Sequence, residues 1–300
     1  MLLWTALTRD SDGKNGRLVL KWRVNMKRKK TVRTAVAAIL TIILLMISLF
    51  PFYYMIVQSI LPWDRIDKEL LPVGFTLRSY EYLMGTGGAG KSYIWIRALL
   101  NSLIVSLPTA VISVVCGLLI GYAVTKLSRF KGKKFIMDSL LFQMFFPAII
   151  LLVPKFMISK GMSNSYPGMI LPMSVSTWAI FMYINYFRTL PDAVFEAAKI
   201  DGAGPLVIIR KIAFPTTKSI TTIVFLSIFM GRWSELMWDM LISPKVEMQT
   251  LNVLISTQFK PMGNYPGPMY AASVILTLPI IVLFLCFSKY FKEGISFMLK

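Results

Sequence analysis

Of 300 residues, 56% are hydrophobic and 16% are charged, with a formal net charge of +19. Several apolar runs are long enough to cross a bilayer, so this composition leaves little besides a membrane protein. There is no histidine, which removes the usual zinc sites, a Ser-His-Asp arrangement and most proton relays.

The first 34 residues are polar and strongly basic and end in the cluster Lys27-Arg28-Lys29-Lys30. They read as a cytosolic tail that meets anionic headgroups. Met26, directly before the cluster, is a second candidate start. The apolar run that follows is too long for a signal peptide and lacks a small-residue cleavage site. The remainder, 35–300, reads as one transmembrane domain. Six spans are expected, at about 35–60, 98–125, 135–158, 167–187, 219–242 and 270–290. Cys116 and Cys286 fall inside apolar runs, where buried, reduced and inert thiols are expected.

Charge sets the orientation. The tail, the loop 126–134, the loop 188–218 and the C-terminal end together hold 23 of the 33 Lys and Arg. With Asp138 at the start of the third span they hold seven of the 14 acids, a net of +16, against +3 for the rest. Excess Lys and Arg marks the cytoplasmic side, so both termini and the loop 188–218 are expected to face the cytoplasm. The basic charge is then a topology signal, which argues against nucleic acid as a partner.

Gly85 to Ser92 reads GTGGAGKS, a literal match to a phosphate-binding loop. That motif works between a buried strand and a helix. Here it falls between two spans, on the side without cytosolic ATP, and reads as a flexible Gly-rich turn.

The stretch Glu196 to Pro215, EAAKIDGAGPLVIIRKIAFP, is too polar and too short to cross a bilayer. It reads as two short helices with a tight bend. Pro191 suits a first helical turn, Asp192 and Glu196 favour the positive end of the helix dipole, Gly202 and Gly204 can end the helix, and Pro205 can start the next. Val194, Ala197, Ala198 and Ile200 give the first helix a small, mildly apolar surface.

At these residues the chain resembles the EAA loop of ABC-importer permeases, through Glu196, Ala197, Ala198, Gly202, Ile212 and Pro215, with Phe214 in place of the usual Leu. Ile200 to Ala203 resembles the carbohydrate, maltose-type branch. The resemblance continues through Phe75-Thr76-Leu77, Tyr80, Asn101-Ser102-Leu103, Pro147, Pro154, Asn164, Gly168, Ile170-Leu171-Pro172, Phe181, Phe187 and Pro191. After the loop, Trp233, Glu235 and Trp238 match a Trp-Asn-Asp/Glu-Phe-x-Trp-Pro element, with Ser234 and Asp239 as departures. It covers about residues 75–294. Ile295 to Lys300 replaces a Gly-rich tail of the maltose system, so that tail's contact is not carried over.

The resemblance implies an all-α membrane protein with the type I ABC-importer permease fold, multi-pass in a bacterial inner membrane. It implies that the loop helix docks into a cytosolic ATPase, with Glu196, Ala197, Ala198, Asp201 and Gly202 as the coupling residues. It implies a second homologous permease in a heterodimer, two ATPase subunits and an extracytoplasmic sugar-binding protein. No catalytic residue, metal ligand or cofactor is expected in this chain, ATP and Mg belonging to the partner ATPase. The chain looks closer to importers of uronate oligosaccharides, such as pectin or alginate fragments, than to the maltose permease. A self-contained secondary carrier or channel for a small polar solute is the alternative, weakened by the lack of a convincing repeat or a well-centred acid.

Charged and polar groups in spans are functional candidates. Arg232, Glu235 and Asp239 share one end of the fifth span; at helical spacing Glu235 and Asp239 lie on one face, and Arg232 can pair with Glu235. They line a substrate path or form an interfacial anchor, with Trp233 and Trp238 as an aromatic belt. Gln143, Tyr183 and Asn185 are further candidates for a polar cavity, or pack between helices. Pro147 and Pro154 bend the third span, for a cavity or for packing alone. Cations outside the cytoplasmic segments, Lys155 among them, could favour an anionic sugar, although acids there nearly balance them.

Overall fold

The computed structural model describes the backbone of residues 13–85, 93–127, 131–259 and 266–298, and the side chains of 33–85, 93–127, 131–259 and 266–287. The Gly-rich stretch 86–92 and most of the basic tail's side chains lie outside these. The described residues are helical, with no β-strand among them. They fall into two units, 1–55 and 56–300. The first consists of most of helix α1, Gly13–Ile60, whose segment Arg33–Ile60 is apolar and long enough to span.

In the second unit, α3 (Ile94–Lys126) is the central element. It packs along α7 (Thr177–Thr189) and α10 (Lys218–Trp233). The contact with α7 is close because α3 presents glycines there. A Cβ on Gly121 would stand 2.6 Å from Tyr183 Cβ and 3.2 Å from its backbone carbon, and one on Gly117 would stand 3.0 Å from the Tyr183 ring. Small residues let helix backbones approach where lipid gives no hydrophobic drive. Tyr183 is fully buried in the gap, and its hydroxyl bonds Thr221 Oγ1 at 2.8 Å, which ties α7 to α10. α13 (Pro266–Met298) also packs against α10, and Trp233 Nε1 donates to Leu276 O at 2.9 Å.

Among the described residues, three single helices are long and apolar enough to cross a membrane: Arg33–Ile60, Ile94–Lys126 and Pro266–Phe287. Two bent pairs reach the same length together: Tyr166–Met173 with Thr177–Thr189 at 41°, and Pro205–Thr216 with Lys218–Trp233 at 80°. The expected third span, 135–158, is not one helix. It consists of α4 (Lys133–Met144) and α5 (Leu152–Ser159) with turns between. Pro147 lies in that break, where it disfavours helix at Phe146 and has no N–H of its own. Pro154 sits in the first turn of α5, where the missing N–H costs little. The expected fifth span, 219–242, stops at Trp233 and resumes as α11 (Met237–Ile242). The thiol expectation also needs correction: Cys116 is half-buried, and Cys286 is exposed.

The breaks are satisfied by side chains. Asn252 Nδ2 donates to Ser234 O at 2.9 Å and Glu235 O at 3.4 Å, and the Glu235 carboxylate accepts from Trp238 N at 3.1 Å. Between α6 (Tyr166–Ile170) and α7, Ser113 Oγ donates to Ser174 O at 2.7 Å, and Ser176 Oγ accepts from Ala179 N at 3.2 Å. Asn101, buried on α3, donates to Glu247 O and Gln249 O at 2.9 and 3.0 Å and accepts from the Tyr166 hydroxyl at 2.7 Å.

At Gly121 the nearest atom is 2.6 Å from an added Cβ, closer than real Cβ atoms approach, whereas at Gly117 the nearest are the Tyr183 ring at 3.0 Å and the Ala179 backbone at 3.3 Å. Gly121→Ala should therefore cost about 1–3 kcal/mol and lower the unfolding temperature in detergent, with Gly117→Ala milder. Equal effects of the two in thermal melts would show that the close approach does not govern this packing.

Candidate functional site

Two places carry chemistry. The first is the elbow between α7 and α10. It begins with α8, Asp192–Ile200, with Pro191 directly ahead of it. The helix ends through Gly202, whose φ of +78° is left-handed. There Gly202 N donates to Lys199 O at 3.1 Å and Ala203 N to Ala198 O at 2.9 Å, which ties off the last carbonyls. No atom lies within 4 Å of a Cβ at Gly202, so the positive φ, and not crowding, favours glycine. Pro205 then opens α9, Pro205–Thr216, which passes through a π-helical turn at Ile209–Ala213. Pro215 follows this turn; the wider ring accommodates its missing donor.

One side of the elbow is anchored. Phe195 of α8 and Ile208 and Ala213 of α9 are buried in one cluster with Tyr122 of α3, Phe187 of α7 and Val224 of α10. The other side is open. Glu196, Ala197, Asp201 and Gly202 are exposed, Ala198 is half-buried, and Ile200 and Leu206 are 86% and 78% exposed. Asp192 is exposed and paired with Lys126, whose hydrogen bond and charge hold its carboxyl below the usual 3.8. A depressed carboxylate pKa contributes above its ordinary value and is lost only as pH falls through the lowered one, so this contact is complete at neutral pH. The sequence reading does not single out Phe195, naming only the small apolar surface of Val194, Ala197, Ala198 and Ile200. Its burial follows from helical spacing, which turns position 195 away from 196 and 197.

The second place is a cavity of about 340 Å³ in the helix bundle, lined in part by Thr109, Lys155, Ser176, Ser227, Arg232 and Glu235. Both the break before α7 and the break after α10 contribute to its wall. Of the seven candidates from the sequence, Glu235 lines this cavity and the other six do not. Tyr183, Trp233, Trp238 and Asp239 are buried between helices. Gln143 is exposed and accepts from Thr177 Oγ1 at 2.9 Å, and Asn185 is exposed on α7.

The expected Arg232–Glu235 pairing is replaced by another, because the helix breaks between the two residues. Arg232 Nη1 donates to Asp239 Oδ2 at 3.0 Å, and Nη2 donates to Asp239 Oδ1 and, at 3.1 Å, to Met169 O. Both residues are buried. Arg232 Nε is buried without a protein partner. Lys155 Nζ lies 3.3 Å from Met173 Sδ and 5.5 Å from the Trp238 ring centre. It forms no ion pair among the described residues.

A family model described as the binding-protein-dependent transport system inner membrane component matches residues 95–296. The chain belongs to this family. The permease is 30% identical to the arabinooligosaccharides transport system permease protein AraQ of Bacillus subtilis (strain 168), over 86% of this chain and 93% of that protein. It is 31% identical to the inner membrane ABC transporter permease protein YcjP of Escherichia coli (strain K12), over 84% and 91%. Its fold matches, with a TM-score of 0.78, a chain in the crystal structure of a bacterial ABC transporter involved in the import of the acidic polysaccharide alginate. That match covers 88% of this chain and 98% of the other at 22% identity. The permease is thus a multi-pass transport subunit of the inner membrane with the type I ABC permease fold, and not an enzyme. Its family works with a binding protein and an ATPase, which sets aside the self-contained carrier.

Removing one member of the buried Arg232–Asp239 pair leaves the other charge without compensation, at a cost of roughly 3–5 kcal/mol. Asp239→Asn and Arg232→Met should each lower the yield of folded protein and the melting temperature, more than Glu235→Gln does. Thermal unfolding of the three purified variants checks this; an Asp239→Asn protein as stable as the parent would contradict it.

Proposed function

We propose that the permease is one half-pore of an ATP-driven importer that passes an oligosaccharide from an extracytoplasmic binding protein into the cytoplasm, with uronate oligomers as the favoured class. A second, homologous permease completes the pore, and two ATPase subunits hold ATP and Mg. Six crossings, with α4 and α5 together as the third, place both termini and the elbow in the cytoplasm. The distribution of Lys and Arg supports that orientation.

In this reading the exposed side of α8, with Glu196, Ala197, Ala198, Asp201 and Gly202, docks into an ATPase groove. Closure of the ATPase pair moves the elbow, and the helices around the cavity move with it. The permease then shifts between inward- and outward-open states through differential contacts with its partners. The cavity belongs to the substrate path, with Glu235 and the hydroxyls of Thr109, Ser176 and Ser227 facing sugar oxygens. Trp233, Trp238 and Asp239 act on the path by holding its wall; Tyr183 holds the helices behind it. Gln143 and Asn185, expected from the sequence at a polar cavity, are exposed away from this one and suit a face turned to the second permease.

The observation that carries the substrate class is Lys155, a cation on the cavity wall with no ion-pair partner among the described residues. A uronate carboxylate in the cavity supplies that partner. One charge-assisted hydrogen bond contributes about 1.5–3 kcal/mol, so Lys155→Met should reduce uptake of a uronate trisaccharide by the reconstituted importer roughly tenfold. Uptake of a neutral arabino-oligosaccharide, where it occurs, should not fall. Wild-type proteoliposomes that carry the neutral sugar and ignore the uronate would refute the substrate class.

A further inference from the structure

Lys126 is the last residue of α3, and its side chain is only 4% exposed although it carries a charge. Its ammonium donates to Asp192 Oδ1 at 2.5 Å and to Leu190 O at 2.8 Å, and it lies 5.0 Å from the centre of the Phe195 ring. These partners are the residue that caps α7, the first residue of α8, and the buried aromatic of α8. From the other end of α8, Lys199 Nζ reaches back and donates to the backbone carbonyl of Lys126 at 3.3 Å. Both ends of the nine-residue helix therefore converge on residue 126.

A topology signal needs only a cation near the membrane surface, and a solvated one serves best. Burial of this ammonium needs another reason, and its three partners supply one. A lysine fixed by a carboxylate, a carbonyl and an aromatic face holds α8 in position and orientation at once. Because α3 is the helix on which α7 and α10 pack, whatever is fixed to its end is fixed to the bundle.

We propose that Lys126 is the positioning residue that fastens the docking helix to the central helix, so that α8 and α3 move as one rigid body when the ATPase closes. The proposal rests on α8 being the ATPase-docking element. Asp192 and Lys199 are the second and third parts of the same grip.

The test uses spin labels at Ala193, at the N-terminal end of α8 and outside the residues assigned to the ATPase contact, and at Leu119 on α3, both exposed, in the assembled importer. The distance between them is measured with and without ATP. In the otherwise unaltered chain it should stay constant on ATP addition. In Lys126→Met it should broaden or move by more than about 2 Å, the size of an ordinary helix shift. Lys126→Arg should restore the constant distance, which a role in mere folding would not require. Asp192→Asn, at an exposed position, provides a second variant should Lys126→Met fail to assemble, and should loosen the distance in the same direction. An ATP-dependent distance in the unaltered chain, or an unchanged one in both Lys126→Met and Asp192→Asn, overturns the proposal. ATPase subunits that fail to copurify with the unaltered chain would instead sink the docking reading, and this proposal with it.

Discussion

The structure is governed by one constraint: a polar backbone group in an apolar surrounding must have a partner. An unbroken helix meets the constraint by itself, and α3 does so along its 33 residues except at Pro108, which has no N–H to donate. Helices around α3 are interrupted; the break between α4 and α5 is closed by local backbone turns, and others take side-chain partners. Asn252 supplies one after α10, Ser113 and Ser176 before α7, and Asn101 where the segment 247–249 meets α6. The buried Arg232–Asp239 pair does the same at larger scale, since Arg232 also takes the carbonyl of Met169. These devices permit a bundle that is broken where it borders a cavity, with backbone groups at the breaks paired; the buried atoms left without a partner among the described residues are side-chain ones, Tyr122 Oη, Arg232 Nε and Trp238 Nε1.

On the proposed reading, that arrangement lets the subunit respond to an ATPase docked at the elbow. The elbow is half anchored and half open. Phe195 and Ile208 place it in the same packed cluster as Tyr122, Phe187 and Val224, so a displacement of the elbow cannot be absorbed locally. The same helices, α3 and α10, continue to the wall that carries Thr109, Ser227 and Arg232. The broken segments then offer places at which the wall can rearrange without disrupting a long helix.

Much of this was legible in the chain. The elbow was readable because its punctuation is chemical: glycine where φ must be positive, proline where a donor is superfluous, and charges where a span is impossible. The family was readable from the spacing of Glu196, Gly202 and Pro215. The breaks were harder. Hydropathy is blind to hydrogen bonding, so an apolar run such as 135–158 reads as one span although Pro147 divides it. For the same reason Arg232 was given Glu235 by helical spacing, a rule that fails once the helix ends at Trp233. Tyr183, Trp233 and Trp238 looked like cavity residues because polar aromatics suit sugars. Their burial depends on long-range neighbours, such as Gly121 and Leu276, that no local pattern names. Lys126 was visible only as one positive charge among many.

The central claim is that the elbow stands in the cytoplasm as a handle exposed on one side and rooted on the other. The most direct measurement replaces Cys116 and Cys286 with serine, introduces one cysteine at Ile200, and applies a membrane-impermeant maleimide. Labelling should occur in inside-out vesicles and be absent in intact spheroplasts, and it should be blocked when the ATPase subunits are bound. Modification from outside intact spheroplasts, or labelling indifferent to the bound ATPase, would contradict the account.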